Sequence, residues 1–107
     1  MGRLINQLAN LNIPPLYATE ATPAEDKVIC ARLLALASAA TWFIVEFDPV
    51  QQLAFGYADL GDPNCAEWGY VDVRELELLR WLGVPRVELD SNFTPTCFRD
   101  LREVQRA

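Results

Sequence analysis

The 107-residue chain contains no histidine. That absence removes the commonest general base, the Ser–His and Cys–His nucleophile pairs and most transition-metal sites together. Cysteine is scarce: Cys30, Cys65 and Cys97 are odd in number, lie more than thirty residues apart and form no CxxC pair. Neither a disulfide framework nor a thiolate zinc site is expected. Long apolar runs are missing too. The longest, "LLALASAATWFIV", is broken by small and polar residues and falls short of the ~20 needed to span a bilayer, and "MGRLINQLANLNIPP" lacks the apolar region of a secretory signal. These absences predict a cytoplasmic chain with no membrane contact, no metal and no cofactor.

The composition that remains, 51% hydrophobic with 22% charged residues, is that of a folding globular protein, and the length suits a single domain over residues 1–107. Basic residues are few where acids are many. Residues 1–43 carry three acids and three bases, residues 44–77 eight acids against Arg74 alone, and residues 78–107 four acids against five arginines. The three segments contribute charges of 0, −7 and +1. An acidic middle repels phosphates, so no direct nucleic-acid binding is expected, and a protein partner with a basic surface is the natural complement.

Leu4, Ile5, Leu8 and Leu11 recur at helical spacing and predict a helix over about residues 3–11, ended by "IPP" because a residue before proline is pushed out of the αR region. "TPAEDKVICARLLALASAA" reads two ways. Thr22, Pro23 and Glu25 form a capping box before strong helix formers, whereas a strand from Lys27 to Leu36 would lead through "SAA" into "TWFIVEF". "TWFIVEFD" alternates Trp42, Ile44 and Glu46 against Phe43, Val45 and Phe47, and "LAFGYADL" alternates Phe55 and Tyr57 against Ala54, Gly56 and Ala58. Both predict strands, joined by a hairpin at "DPVQQ". "WGYVD" is a short strand running into a helix capped by Asp72 and Glu75 and stopped by Gly83. "PRVELD" is a further strand, and a last helix starts with Thr94 as cap and Pro95 at its first position. The expected fold is one α+β domain, an antiparallel sheet of four or five strands flanked by three helices.

The segments "PPLYATE", "EDKVI", "TWFIVEFDP", "FGYADLG" and "EWGYVDVRELE" together resemble a small uncharacterised bacterial family catalogued as domain of unknown function 2958, over about residues 4–95. Members of that family are often encoded on plasmids and other mobile elements. The resemblance implies a strand after "EDK" and decides residues 27–36 in favour of strand. It transfers no catalytic role to any residue.

Within "DLGDPNCAEWGYVD", Asp59, Asp62 and Glu67 have the oxygen chemistry of a Ca²⁺ or Mg²⁺ loop without its spacing. Trp68 and Tyr70 fall on one strand face, and an antiparallel meander would put Phe55 and Tyr57 beside them. That face is either core beneath helices or an aromatic groove rimmed by acids, suited to a peptide or a basic side chain. On a helical wheel Leu76, Leu78, Leu79 and Leu82 make the apolar arc and Trp81 falls opposite with Arg74 and Glu77, a partner contact or a cover for loops. On the last helix Cys97, Leu101 and Val104 face inward, with Arg99, Arg102 and Arg106 outside. Pro14 and Pro15 stiffen a loop that presents Tyr17 and Glu20, with Tyr17 read as capping the core in preference to a binding role.

The functional expectation is a non-enzymatic, acidic interaction protein of a mobile genetic element, an anti-defence inhibitor of the anti-CRISPR or anti-restriction kind in its sharper, nucleic-acid-mimic version. Its partner-binding candidates are Glu46, Asp48, Asp59, Asp62, Glu67, Trp68, Tyr70 and Trp81; none is assigned a catalytic role. The alternatives are a small enzyme or ligand-binding domain using an aromatic and carboxylate pocket on the sheet, and a homodimer that buries Trp81.

Overall fold

The computed structural model describes residues 2–101. Helix α1 spans Arg3–Ala9 and turns Leu4, Ile5 and Leu8 into the core, with Leu11 left outside beyond the Asn10 cap. After the Pro14–Pro15 loop comes one turn of 3₁₀ helix, Ala24–Asp26, where the capping box of residues 22–25 would have started a longer helix. The chain instead extends into strands β1 (Val28–Ile29) and β2 (Ala31–Ala35), because β2 gains pairing on both edges and that tertiary gain outweighs local helix propensity.

Strands β3 (Thr41–Asp48), β4 (Leu53–Asp59) and β5 (Glu67–Asp72) follow as a meander. The five-stranded antiparallel sheet has the order β5-β4-β3-β2-β8, with β8 at Val87–Leu89 on one edge. The fold is therefore α+β, as expected. Two clusters sandwich the sheet. Ala31, Leu33, Ile44, Phe47, Ala54, Val71 and Val73 pack beneath α1, and Ile29, Phe43, Val45, Phe98 and Leu101 form the core of the opposite side. Phe43 to Phe47 are all buried, so the central strand reads as a nearly unbroken apolar run rather than an alternating one. Gly56 is required in β4: a Cβ there would lie 1.9 Å from the Phe43 carbonyl oxygen.

The strict alternation predicted for β3 fails after Ile44. Ile44 pairs with Gly56 but Glu46 pairs with Phe55, so Val45 is an extra, bulged residue. A bulge inverts the side on which every later side chain lies. Phe47 joins Ile44 against α1, and Glu46 moves to the aromatic side with Phe43 and Val45.

The helix after β5 is shorter than predicted. Helix α2 covers Val73–Leu78, capped by Asp72, whose carboxylate accepts the Glu75 N–H at 3.2 Å. Leu79 then extends, and residues 80–85 form a small hairpin of β6 (Arg80–Trp81) and β7 (Val84–Pro85). Leu82 and Gly83, both at positive φ (51° and 79°), make the two-residue turn that a right-twisted hairpin favours. The expected leucine arc therefore does not exist. Leu78, Leu79 and Leu82 are exposed, whereas Glu77, expected outside, is buried and accepts the Ile5 N–H at 2.9 Å.

At the C-terminal end the cap at Thr94 is also displaced. Strand β9 (Thr96–Cys97) pairs with β1, and helical residues begin only at Phe98. Arg99 is exposed and paired with Asp26, and Leu101 is buried. The predicted positions of Arg102, Val104 and Arg106 lie outside the described residues.

A candidate pocket on the aromatic side of the sheet

On the side away from α1, cross-strand pairing sets Phe55 opposite Tyr70 and Tyr57 opposite Trp68. The four rings form one band: Phe55 stacks on Trp68 (5.9 Å, 16°), and Tyr70 meets Phe55 edge-on at 5.4 Å. Phe98 covers one half, with its ring 4.8 Å from Tyr57 and 4.7 Å from Trp68. The choice between core and groove is thus divided along the band. The Tyr57–Trp68 half is core, and the Phe55–Tyr70 half opens into a cavity of about 330 Å³ walled by Tyr17, Glu20, Lys27 and Glu46.

The bulge supplies the floor of this cavity. Glu46 is only 3% exposed, and its carboxylate gathers the loop that crosses it: Oε1 accepts the Tyr17 N–H at 2.8 Å, and Oε2 accepts the Thr19 N–H at 2.9 Å together with the Thr19 hydroxyl. Lys27, also buried, donates to the carbonyl and the hydroxyl of the same Thr19. Burial alone would raise the Glu46 pKa. The Thr19 hydroxyl, the Tyr17 and Thr19 amides and the Lys27 charge outweigh it and hold the carboxyl below its ordinary value. Glu46 is therefore an ionised anchor with both oxygens engaged. That is a poor state for a general acid.

The anchor fixes an unusual backbone. Tyr17 has φ 72°, a left-handed conformation costly for a bulky residue, of order 1–3 kcal/mol. Tyr17 is 60% exposed and so does not cap the core; it lines the cavity together with Tyr70. The Tyr70 phenol is pushed above its ordinary value, first by the hydrogen bond with Tyr17, then by partial burial and by surrounding negative charge, including that of Glu46 and Glu20. The lining carries two carboxylates, Glu20 and Glu46, against the single Lys27 ammonium.

Of the predicted residues, Glu46 and Tyr70 meet in this cavity and Trp68 adjoins it through Phe55. The others lie elsewhere. Asp48 ends β3 and accepts the Val50 and Gln51 N–H groups of the turn that follows. Asp59 accepts the Gly61 N–H, and Asp62 the Asn64 N–H, each at 3.0 Å, as ordinary loop-closing bonds. Glu67 is exposed at the start of β5, and Trp81 is exposed on the hairpin. Sequence reasoning missed Lys27, and it favoured the core over a binding role for the loop that presents Tyr17 and Glu20. One signal was present: "PPLYATE…EDK" sets a stiffened loop bearing a tyrosine and a glutamate shortly before a lysine.

The chain belongs to the family described as protein of unknown function (DUF2958), whose model matches residues 4–99. No curated protein and no solved structure matches it. Among the described residues no helix is long and apolar enough to cross a membrane.

Proposed function

We propose that this chain is a non-enzymatic binding module that docks on a basic protein surface, with a lysine or arginine side chain of the partner entering the pocket between Tyr17, Phe55 and Tyr70. The observation that carries the reading is the strained Tyr17 backbone, held over the cavity by the buried Glu46 carboxylate. A fold retains such strain where the surrounding structure determines it, and here what it positions is an aromatic wall. Aromatic faces with carboxylates behind them are the usual recognition chemistry for ammonium and guanidinium groups. Lys27 already holds its ammonium 6.0 Å from the centre of the Phe55 ring, bound to Thr19 and offset by Glu46, so a partner's cation enters on the Tyr17–Tyr70 side, where Glu20 is the surplus charge at the rim. The cavity volume lies at the low end of the range for small ligand sites, which suits one side chain.

An anti-defence inhibitor of a nucleic-acid-handling effector is one such module, since those effectors are basic. Its phosphate-mimic version draws less support from the surface: Asp48, Asp59, Asp62 and Asp72 each give an oxygen to a local backbone amide, and Glu46 and Glu77 are buried. The test is a titration with N-acetyl-arginine amide, N-acetyl-lysine amide and N-acetyl-aspartate amide, followed by NMR of the aromatic rings. The two cationic probes should shift the Tyr17, Phe55 and Tyr70 signals with millimolar affinity, about 4 kcal/mol. Tyr70→Ala and Glu20→Gln should weaken that binding. Preference for the aspartate probe, or no ring shift with any probe, would overturn the reading.

A further inference from the structure

A second surface, away from the aromatic pocket, carries the opposite charge. The β6–β7 hairpin rises beside the β2–β3 turn, and between them lies a groove of about 370 Å³ lined by Ala40, Trp42, Leu79, Trp81 and Val87. Its apolar wall is exposed: Leu79 is 48% and Trp81 63% accessible, and Leu82 and Val84 on the same hairpin are exposed as well. Scattered apolar residues on a surface need no explanation, but three on one six-residue hairpin do. Leu82 sharpens the point. It occupies a left-handed turn position where Asn or Gly is the usual residue, so neither burial nor backbone preference accounts for leucine there.

The charge on the groove selects its occupant. Arg80 and Arg86 both line it, and the Arg86 guanidinium lies 5.8 Å from the centre of the Trp81 ring. Among the described residues neither arginine is ion-paired, in contrast to Arg32 with Asp90 and Arg99 with Asp26. In a chain of net charge −6, two unpaired arginines on one apolar groove are a local reversal of sign. A two-fold dimer through this patch would bring the four arginines of two copies together, which disfavours self-association. Two arginines on a mostly aliphatic wall are also few for a nucleic-acid path, which needs a track of basic residues to follow the backbone.

We infer that the Trp42–Trp81 groove is a docking surface for an acidic protein segment, whose apolar side chains fill the groove while its carboxylates meet Arg80 and Arg86. Tryptophan and arginine are the residues most enriched at interface hot spots, and here they adjoin. The module thus presents one site to a cation and another to an acidic chain.

The experiment uses tryptophan fluorescence of the full chain, because Trp42 and Trp81 both line the groove. The probes are a synthetic amphipathic peptide of about four helical turns with leucine on one face and glutamate on the other, the same peptide with lysine for glutamate, and an oligothymidylate of similar length. The glutamate peptide should change the emission saturably and compete poorly at high salt. Trp81→Ala should weaken it about thirtyfold. Arg80→Gln with Arg86→Gln should weaken it mainly through a slower on-rate. Circular dichroism checks that each variant is folded, and Leu82→Ser offers a second, milder loss of the same patch. Equal binding of the two peptides, preferential binding of the oligonucleotide, no response to any probe, or a concentration-dependent dimer that shields Trp81 would each overturn the inference.

Discussion

Replacing Glu46 by glutamine keeps the shape of the side chain and removes one acceptor and one charge. The carboxylate serves three donors, the Tyr17 N–H, the Thr19 N–H and the Thr19 hydroxyl. A carboxamide has one acceptor oxygen, so its NH₂ group must face one of the two backbone N–H groups. The best arrangement keeps the oxygen on Thr19 and gives up the bond to Tyr17. Losing a charge-assisted bond costs ~1.5–3 kcal/mol, and Lys27, buried beside it, loses its compensating charge as well. Relaxation of the Tyr17 backbone returns part of this, of order 1 kcal/mol. The expected net destabilisation at neutral pH is about 2–3 kcal/mol, read in urea unfolding as a midpoint lower by on the order of 1–2 M. The loss should depend on pH. Because the folded-state pKa of Glu46 lies below its ordinary value of 4.5, the unfolded chain binds the proton more readily. The wild-type contribution is therefore complete above that ordinary value and is lost as pH falls through the lower folded one. The gap between wild type and Glu46→Gln should narrow in acid below 4.5. A variant within about 0.5 kcal/mol of wild type at neutral pH, or a gap that does not move with acid, would refute the anchoring role.

Gly56→Ala should destabilise by roughly 3 kcal/mol or more in the same assay, since its Cβ would meet the Phe43 carbonyl oxygen at 1.9 Å and backbone must move. Leu82→Asn should raise thermal stability by about 0.5–1 kcal/mol, because an Asn-Gly pair suits the positive-φ turn that Leu82 and Gly83 now make. Asp59→Asn, Asp62→Asn and Glu67→Gln combined should cost no more than about 0.5 kcal/mol per site, as asparagine retains the acceptors that close both turns and Glu67 is exposed. They should also leave binding of an arginine probe to the Tyr70 pocket unchanged, and a large loss there would move the cation site to the 59–67 loop.

The meander was legible because its signals are local. "TWFIVEFD" and "LAFGYADL" are dense in residues that fit a pleated surface, and Asp72 with Glu75 marks the start of α2 within a residue. The elements that local signals left open or misread are those that depend on distant partners. The strand over residues 27–36, implied by the family resemblance and present as β1 and β2, was undecided locally because the capping box at Thr22 competes with two strand neighbours of β2 that no window of sequence contains. Helix α2 stops at Leu78 because the chain turns into a hairpin, and the clue, a glycine at position 83, fits a helix end and a hairpin turn equally well. The wheel drawn through Leu79, Trp81 and Leu82 then placed Trp81 by a periodicity that the backbone does not have.

The way Glu46 reaches the pocket was hidden for a more specific reason. One extra residue, Val45, turns Glu46 from the α1 side to the aromatic side, and period-two reasoning has no means of registering such a bulge. Charge counting misled in the complementary way. It drew notice to residues 44–77 because eight acids lie there, yet most of those carboxylates close turns, cap a helix or hold backbone amides. The acid that shapes a site is the one removed from solvent, and what marks it is not its neighbours in sequence but the backbone it constrains at Tyr17 and Thr19. A buried carboxylate that holds a tyrosine in a left-handed conformation in the lining of an open cavity costs the fold desolvation and strain together. A well-packed apolar residue at position 46 would avoid both. The arrangement is understandable if the position of the Tyr17 ring is what matters, which is why the variant at Glu46 and the probe titration at Tyr70 examine one claim from its two ends.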